Sequence, residues 1–262
     1  MNLTTMTFDL KDHIATITLN RPDAANALNL TMSQDLLTVA SRCDSADVRA
    51  VILTAQGKMF CAGGDVLSFA AAGAGVTELM RNMTAFLHSA ISRFARMNAP
   101  LITAINGTAA GAGLSMALTG DIILAAASAK FTMAYTKIGV SPDGSSTFFL
   151  PRLVGIAKAK EMILLNPVYS AEEAKTHGLV TEVLADDALM ARANALAQQL
   201  AAGPTAAYGE TKRLLADTFS NSLETQMEME TRAIAGLTAY SNDTREGFKA
   251  FTEKRKPLFE GK

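Results

Sequence analysis

Two glycine-rich segments place backbone amides where a negatively charged oxygen could be held. MFCAGGD, residues 59–65, follows an apolar run at 48–55, and NGTAAGAGLSMAL, residues 106–118, follows one at 100–106. Ligands of α/β proteins bind at the carboxyl ends of parallel strands, and a helix start, predicted after the second run, favours negative charge. Two converging N–H groups are what an oxyanion hole requires. Taken singly, each segment also fits a tight turn that needs positive φ.

One acid, Asp143, stands alone in the segment GVSPDGSSTFFLPRLVG, residues 139–155. Aspartate is a favoured helix N-cap, and Asp-Gly-Ser-Ser is typical of a turn that precedes a helix. The same carboxylate could act as a general base, and the apolar residues Phe148, Phe149 and Leu150 predict that it is buried among them. From the residues alone, both roles stay open.

Two other kinds of site share parts of this pattern. A dinucleotide site needs G-x-G-x-x-G with an acid about 20 residues further on; GAGLSM lacks the third glycine, and Asp121 comes too early. A serine hydrolase needs its nucleophile at a sharp strand-to-helix turn, whereas Ser115 falls several residues past the strand. We expect Ser115 to pack a helix start, and we expect structural roles for the three histidines, His13, His88 and His177.

Composition excludes several classes of protein. The chain has 262 residues, is 49% hydrophobic and carries a net charge of −1, which disfavours a nucleic-acid surface. Its two cysteines, Cys43 and Cys61, fit no metal or redox spacing, so we expect a reduced, cytoplasmic protein without a metal site. Residues 97–120 are uncharged, but Pro100 and several Gly and Asn residues interrupt them. We therefore expect a soluble protein with no membrane partner, and residues 1–11 show no secretory signal.

The elements that would position these residues alternate between strands and helices. HIATITL, residues 13–19, has the period-two spacing of a strand, and the runs at 48–55, 100–106 and 121–127 are nearly continuous in apolar residues. Continuous runs are typical of parallel strands that are covered on both faces. With a predicted helix over 77–97, this order indicates an α/β fold with right-handed crossovers.

Strand signals end near residue 186. Ser170 and Glu173 form a predicted capping box, and Gly178 suits the C′ position of that short helix. Beyond it, helical spacing covers 186–202, 204–219, 221–237 and 243–255. The sequence therefore predicts an α/β core over 1–185 and a helical region over 186–262 that covers the core or packs against another subunit.

At this point the chain resembles the crotonase superfamily, the enoyl-CoA hydratase/isomerase group, over essentially its whole length. The matching segments are ITLNRPDAANALN (17–29), FCAGGD (60–65), INGTAAGAGLSMALTGDIILAAASAKF (105–131), YSAEEAKTHGLVTEV (169–183) and REGFKAFTEKRKPLF (245–259). The resemblance implies a spiral of repeated ββα and βα turns, with a C-terminal helical region that covers the site and mediates trimer contacts. It implies a homotrimer or a hexamer made of two trimers. It also implies an acyl-CoA thioester substrate and no separate cofactor, since coenzyme A is part of the substrate.

The resemblance assigns roles to individual residues. Gly64 and Ala112 would donate the two N–H groups that hold a thioester enolate. Asp23, Ala24 and Ala25 would contact the adenine, and Lys254 would approach the phosphates of coenzyme A, often from a neighbouring subunit. Six more residues would line the substrate site: Ala62, Gly63, Asp65, Gly111, Ser115 and Tyr135.

The chain departs from the hydratase pattern at two acidic positions. Crotonase-type hydratases have one glutamate in the helix after the second glycine turn and another some twenty residues later; here those positions hold Ser115 and Tyr135. Hydration needs one group to deprotonate water and another to protonate C2. Asp143 resembles the acid of family members that shift double bonds, where one carboxylate moves a proton between carbons.

We therefore expect a Δ3,Δ2-enoyl-CoA isomerase, or a related isomerase of unsaturated acyl- or ring-CoA intermediates, with a place in fatty acid metabolism. Three alternatives remain. One is a 2-enoyl-CoA hydratase in which Asp143 and one polar neighbour hold the water. Another is a crotonase-like dehalogenase with Asp143 as its nucleophile. The third, of a different class, is an acyl-CoA thioesterase that uses Ser115.

Overall fold

A computed structural model describes all 262 residues of the chain. Ten strands form two sheets. The larger has the order β1 (Met6–Lys11), β2 (Ile14–Leu19), β3 (Ala50–Ala55), β5 (Leu101–Ile105), β7 (Ile122–Ala126) and β10 (Glu182–Leu184). The smaller has the order β4 (Met59–Cys61), β6 (Thr108–Ala110), β8 (Lys130–Thr132) and β9 (Tyr169–Ser170).

Eleven α-helices complete the chain. Seven belong to the core region: α1 (Leu30–Cys43), α2 (Val66–Ala71), α3 (Val76–Arg96), α4 (Ala112–Ala117), α5 (Ser146–Val154), α6 (Ile156–Leu165) and α7 (Ala171–Thr176). Four follow β10: α8 (Leu189–Ala201), α9 (Thr205–Asp217), α10 (Leu223–Tyr240) and α11 (Asn242–Thr252). Short 3-10 helices lie at Pro22–Ala24, Gly73–Gly75 and Tyr135–Ile138.

The two sheets alternate along the chain, which produces a spiral. β3, β5 and β7 lie in the larger sheet, and each is followed by a short strand of the smaller sheet, β4, β6 and β8 in turn. Apart from the antiparallel pairs β1–β2 and β8–β9, the pairings are parallel. The predicted α/β spiral and the helical C-terminal region are therefore confirmed.

One detail of the prediction is wrong. The glycine turns do not leave the apolar runs at 48–55 and 100–106 directly, because β4 and β6 intervene. Both turns leave the smaller sheet, where β4 and β6 are parallel neighbours. The intervening strands have only three residues each, too few for a period-two pattern to be recognised.

Alternating burial explains the continuous apolar runs. In β3, Val51 and Leu53 join the large core cluster that includes α1 and α3, whereas Ala50 and Ile52 pack with α8 on the opposite face. A strand covered on both faces is therefore almost entirely apolar, and its one polar residue, Thr54, donates its hydroxyl to the Ala104 carbonyl. In β2, by contrast, alternate residues are buried, as its spacing predicts.

Two basic residues with largely buried side chains connect the helical region to the core. Lys212 of α9 donates to the carbonyls of Phe94 and Ala99, and its Nζ lies 2.8 Å from Oδ2 of Asp121. Arg49, just before β3, donates to the carbonyls of Gly203 and Phe259. The predicted boundary at 185/186 falls in the connection between β10 and α8. None of the helices has the length and apolar character of a membrane span.

The predicted capping box is confirmed. The Ser170 hydroxyl accepts the Glu173 amide, and the Glu173 carboxylate accepts the Ser170 amide. Gly178, at φ 81°, follows the C-cap of α7. Ser170 is also the last residue of β9, the edge strand of the smaller sheet from which the glycine turns project.

Candidate active site

The two glycine turns touch each other at the carboxyl ends of β4 and β6. Gly63 and Gly111 have φ values of 100° and 52°. A Cβ placed on Gly63 would lie 3.0 Å from the Ala110 carbonyl oxygen and 3.5 Å from the Ala112 nitrogen. A Cβ on Gly111 would lie 3.6 Å from the Gly63 Cα. Both the backbone angles and this close approach require glycine at position 63.

The amides of Gly64 and Ala112 are the donors that these turns expose. The Gly64 N–H makes no hydrogen bond with the protein. Ala112 is the first residue of α4, so its N–H has no acceptor within the helix. Gly63, which precedes Gly64, lies against Gly111 and Ala112, so the two turns that carry these N–H groups are in contact. The arrangement can hold an oxyanion between two peptide donors.

The segment from Arg21 to Leu28 lies alongside the first turn. The Leu28 amide donates to the Gly63 carbonyl at 2.7 Å, the Asp65 amide donates to the Leu28 carbonyl at 2.8 Å, and the Ala62 amide donates to the Ala25 carbonyl at 3.0 Å. The 3-10 helix Pro22–Ala24 leaves Asp23 exposed and Ala24 and Ala25 half-buried. The residues expected to contact adenine therefore adjoin the predicted oxyanion turn.

Asp65 is engaged by the protein itself. Its carboxylate accepts the Ser68 amide at 3.2 Å as the N-cap of α2, and it pairs with Arg21 at 3.1 Å. Partial burial acts to raise the pKa of Asp65, but the Ser68 amide and the Arg21 guanidinium outweigh it and lower the pKa overall. Asp65 thus serves the turn as an ionised cap and is not available as a free base.

A chain of three side chains lies beyond the second turn. Ser115, fully buried in α4, places Oγ 2.8 Å from the Tyr135 hydroxyl oxygen. The Tyr135 hydroxyl in turn lies 2.7 Å from Oδ1 of Asp143. Burial, reinforced by the Asp143 carboxylate, raises the pKa of Tyr135 above its usual value. Tyr135 therefore keeps its proton and donates a hydrogen bond to the carboxylate.

The predicted cap role of Asp143 is wrong. Ser145 occupies the N-cap position of α5, and the Asp143 carboxylate accepts no backbone amide. Gly144 and Ser145 both have positive φ, so the chain turns sharply between the carboxylate and the helix. A Cβ on Gly144 would lie 3.0 Å from the Ser115 Cβ, which shows how closely this turn packs on α4.

The predicted burial of Asp143 among apolar side chains also needs correction. Its side chain is 30% exposed. Phe148 lies edge-on to Phe149 and stacks against the Arg152 guanidinium, 3.5 Å from the ring centroid. The side chains that contact the carboxylate are polar instead: the Tyr135 hydroxyl at Oδ1 and the His88 imidazole near Oδ2.

His88 is the residue that sequence reasoning missed. It lies on α3, where its Nε2 is 3.6 Å from Oδ2 of Asp143 and accepts the Gly144 amide at 3.2 Å. Gly144 and His88 are 56 residues apart in sequence, and no local motif marks the contact. The only available signal was a polar residue next to the buried stripe of α3 that contains Leu87 and Ile91. His13 and His177 have structural contacts, with the Asp47 carbonyl and the Tyr169 ring.

Ser115 lacks the partners of a nucleophile. Its hydroxyl contacts Tyr135 and lies 3.3 Å from the Gly111 carbonyl, and no histidine is hydrogen-bonded to it. Because the raised pKa keeps Tyr135 protonated near neutral pH, no phenolate is present to take a proton from the serine. The geometry thus matches the expectation that Ser115 packs the helix start.

A groove of about 200 Å³ adjoins Asp143. It runs between α3, the start of α5 and the end of α9, with His88 and Ser145 on the side of the carboxylate. Its remaining lining is mainly apolar: Ile91, Ser92, Ala95, Arg96, Phe148, Phe149 and Ala216. The groove can take an apolar group.

Lys254 lies apart from this constellation. It is exposed, follows α11 with φ 53°, and no hydrogen bond or ion pair joins it to the segment 21–28. Its neighbour Arg255 is paired with Glu246 and Glu253. The structure therefore does not bring Lys254 together with the other predicted site residues within one chain.

The chemistry of the site involves no recognisable metal set. No group of three or more His, Cys, Asp and Glu side chains is arranged to hold a metal ion. Both cysteines are free thiols, and burial raises the pKa of each to about 12.

The chain is similar to known proteins in both sequence and structure. The sequence model described as "Enoyl-CoA hydratase/isomerase" matches residues 9–262. The chain is 38% identical to a Rhodobacter capsulatus protein named "Probable enoyl-CoA hydratase", over 100% of both chains. It is 39% identical to the 1,2-epoxyphenylacetyl-CoA isomerase of Escherichia coli, over 95% of both. The crystal structure of an enoyl-CoA hydratase from Bacillus anthracis superposes with a TM-score of 0.90 at 32% identity, covering 99% of this chain and 100% of that one.

Proposed function

This chain belongs to the enoyl-CoA hydratase/isomerase family, whose members act on acyl-CoA thioesters, and we propose that it is an isomerase that moves a double bond from C3 to C2. The observation that carries this proposal is the Asp143 carboxylate. It is the one acid among the three hydrogen-bonded side chains of Ser115, Tyr135 and Asp143, and it does not cap a helix.

The proposed reaction uses Asp143 twice. Oδ2 of Asp143 removes a proton from C2, so the C2–H bond breaks, an O–H bond forms, and the electron pair moves into a dienolate. The Gly64 and Ala112 amides stabilise the negative thioester oxygen. The same carboxyl group then gives its proton to C4, and the C2=C3 double bond forms. Coenzyme A enters as part of the substrate, and no other cofactor is needed.

Hydrogen bonding separates the roles of the two carboxylate oxygens. Tyr135 donates to Oδ1, whereas Oδ2 accepts no hydrogen bond and lies 3.6 Å from His88. Oδ2 is therefore the oxygen that is available to take a proton. Ser115 and Tyr135 keep their protons near neutral pH, so they orient the base and do not replace the two acids of a hydratase.

Hydration of a 2-enoyl-CoA is the second candidate. The contact between His88 and Asp143 supports it, because two titratable side chains could divide the tasks of activating water and protonating C2. The Rhodobacter capsulatus relative carries the name of a hydratase. This candidate requires His88 for turnover, whereas isomerisation requires only Asp143 and the two amides.

The groove limits the acyl group that we propose. Its volume is about 200 Å³, and an apolar cavity of roughly 150 Å³ is large enough to bind benzene. A ring or a short chain fits such a space, and the Escherichia coli relative is named for a ring-bearing thioester. We therefore propose a short unsaturated acyl-CoA or a ring-CoA intermediate as the substrate class.

We also propose that the site is completed by assembly of the chain as a homotrimer or a dimer of trimers. The helical region carries exposed apolar side chains, among them Phe219, Ile234, Phe248 and Phe251. Large apolar residues clustered on surface helices are typical of subunit contacts. In such an assembly, Lys254 of a neighbouring subunit would approach the phosphates of coenzyme A.

Parallel assays distinguish the candidate activities. The purified protein is given a 3-enoyl-CoA, a 2-enoyl-CoA and a saturated acyl-CoA, and conjugation, hydration and free thiol are followed. The proposal expects conjugation that is lost in Asp143→Asn and kept in Ser115→Ala. Hydration without conjugation contradicts the isomerase assignment, and release of free coenzyme A that Ser115→Ala abolishes indicates a thioesterase.

A further inference from the structure

His88 faces the Asp143 oxygen that the proposed reaction uses. The Gly144 amide lies 3.2 Å from His88 Nε2, so this nitrogen presents its lone pair and a neutral ring carries its proton on Nδ1. The same Nε2 lies 3.6 Å from Oδ2 of Asp143. A proton taken up by Oδ2 would therefore sit directly beside a basic nitrogen.

The imidazole of His88 is accessible to water. The His88 side chain is 50% exposed, whereas Tyr135, on the opposite carboxylate oxygen, is buried and holds its proton firmly. Arg96 lines the same groove but is paired with Asp217 at 3.3 Å. Of the groups around the carboxylate, His88 alone combines contact with Oδ2, a titratable nitrogen and access to solvent.

We infer that His88 is a positioning residue that acts through Asp143 and exchanges the carried proton with water, an inference that rests on the proposed isomerase function. In the outward direction, the Oδ2–H bond breaks as an Nε2–H bond forms, and the resulting imidazolium releases this Nε2 proton to water while it keeps the proton on Nδ1. In the inward direction, Nε2 takes a proton from solvent, and the Nε2–H bond then breaks as an Oδ2–H bond forms. Exchange competes with return of the original proton to C4, so the product carries hydrogen from both sources.

The test measures where the hydrogen at C4 comes from. Unlabelled 3-enoyl-CoA is converted in D₂O to a small extent, and mass spectrometry gives the fraction of product with deuterium at C4. The wild type is expected to give a mixture, and His88→Gln is expected to lower the deuterated fraction several-fold while conversion continues. Glutamine can still accept the Gly144 amide, but it does not titrate. His177→Gln, which removes a histidine that packs on Tyr169, should leave the fraction unchanged.

A second variant provides an independent check. His88→Ala opens space for free imidazole, and adding imidazole should raise the deuterated fraction towards that of the wild type. An unchanged fraction in His88→Gln, or a wild type that incorporates no deuterium, overturns the role of His88 while leaving the isomerase function in place. A wild type that does not isomerise 3-enoyl-CoA overturns the proposed function itself, and the role of His88 with it.

Discussion

The hydroxyl of Tyr135 lies 2.7 Å from Oδ1 of Asp143, in the place where a hydratase of this family would carry a second acid. Because Tyr135 holds its proton, we propose that it orients the Asp143 carboxylate and does not itself transfer a proton. It also connects Asp143 to α4 through Ser115, whose Oγ is 2.8 Å from the same phenol oxygen. The carboxylate is thus connected to α4, the helix whose first amide we propose as a donor to the thioester oxygen.

Removing this hydroxyl should slow the reaction without abolishing it. In Tyr135→Phe, Oδ1 loses a hydrogen bond to a charged acceptor, which is worth about 1.5–3 kcal/mol. We expect kcat/KM to fall about 10- to 100-fold, mainly in kcat, in steady-state assays with a 3-enoyl-CoA. The matched control is Tyr169→Phe, which removes a phenol hydroxyl that lies 3.3 Å from Glu161 and should retain activity. A Tyr135→Phe enzyme with full kcat would contradict the orienting role.

The contact between the glycine turns predicts a large effect of a single methyl group. Gly63→Ala would place Cβ 3.0 Å from the Ala110 carbonyl at a φ of 100°, so the turn that carries the Gly64 amide must move. Loss of one oxyanion donor typically costs about 100- to 1000-fold in kcat, and we expect a loss of this size. Gly73→Ala, also at positive φ but with nothing within 4 Å of the new Cβ, controls for backbone strain. Equal losses in the two variants would count against an oxyanion hole at this turn.

The ion pair between Lys212 and Asp121 should stabilise the attachment of the helical region. Burial lowers the pKa of Lys212 and raises that of Asp121. The 2.8 Å contact between the two charges, together with the two carbonyls that accept from Lys212, offsets this cost of removing the charges from water. Lys212→Met removes the cation from Asp121, whose side chain is 28% exposed and still accepts the Leu101 amide, so we expect the free energy of unfolding to fall by about 2 kcal/mol, measured by urea titration at fixed protein concentration. Lys158→Met, which breaks a surface pair with Glu161, should change it by less than about 1 kcal/mol. Comparable effects of both changes would show that the Lys212–Asp121 pair contributes no more to stability than a surface ion pair.

The C-terminal tail should loosen in acid. Hydrogen bonds from the Arg255 guanidinium, followed by one from the Leu258 amide, lower the pKa of Glu246 from 4.5 to about 2. A depressed carboxylate pKa stabilises the folded state above pH 4.5, and this contribution is lost as the pH falls towards 2. Protection factors of the amides of residues 253–262, which correct for the intrinsic exchange rate at each pH, should therefore fall across that window. Glu246→Gln should already exchange fast at neutral pH and lose most of this acid dependence; a wild-type-like profile would contradict the assignment.

Much of the scaffold could be predicted because its signals are local. The alternation of Ala15, Ile17 and Leu19 indicated β2, and continuous apolar runs indicated β3, β5 and β7. The need for positive φ at Gly63 and Gly111 was also visible in the sequence. The strands β4, β6, β8 and β9 were missed because two or three residues contain no recognisable period.

The geometry around Asp143 could not be predicted because it depends on tertiary contacts. The residues after Asp143 are apolar, yet the positive φ angles of Gly144 and Ser145 direct its carboxylate towards Tyr135. His88 reaches the same carboxylate only because α3 packs beside that turn. The sequence singled out Asp143 as a candidate base, but it did not show that Tyr135 and His88 contact its two carboxylate oxygens.

The most direct test of the account follows the hydrogen that Asp143 is proposed to carry. A 3-enoyl-CoA deuterated at C2 is given to the wild type in ordinary water, and the 2-enoyl-CoA product is examined for deuterium at C4. We predict that part of the label appears at C4 and that Asp143→Asn gives almost no conversion. Conversion by Asp143→Asn at the wild-type rate, or a wild-type product in which water has added and no label has reached C4, would contradict the account.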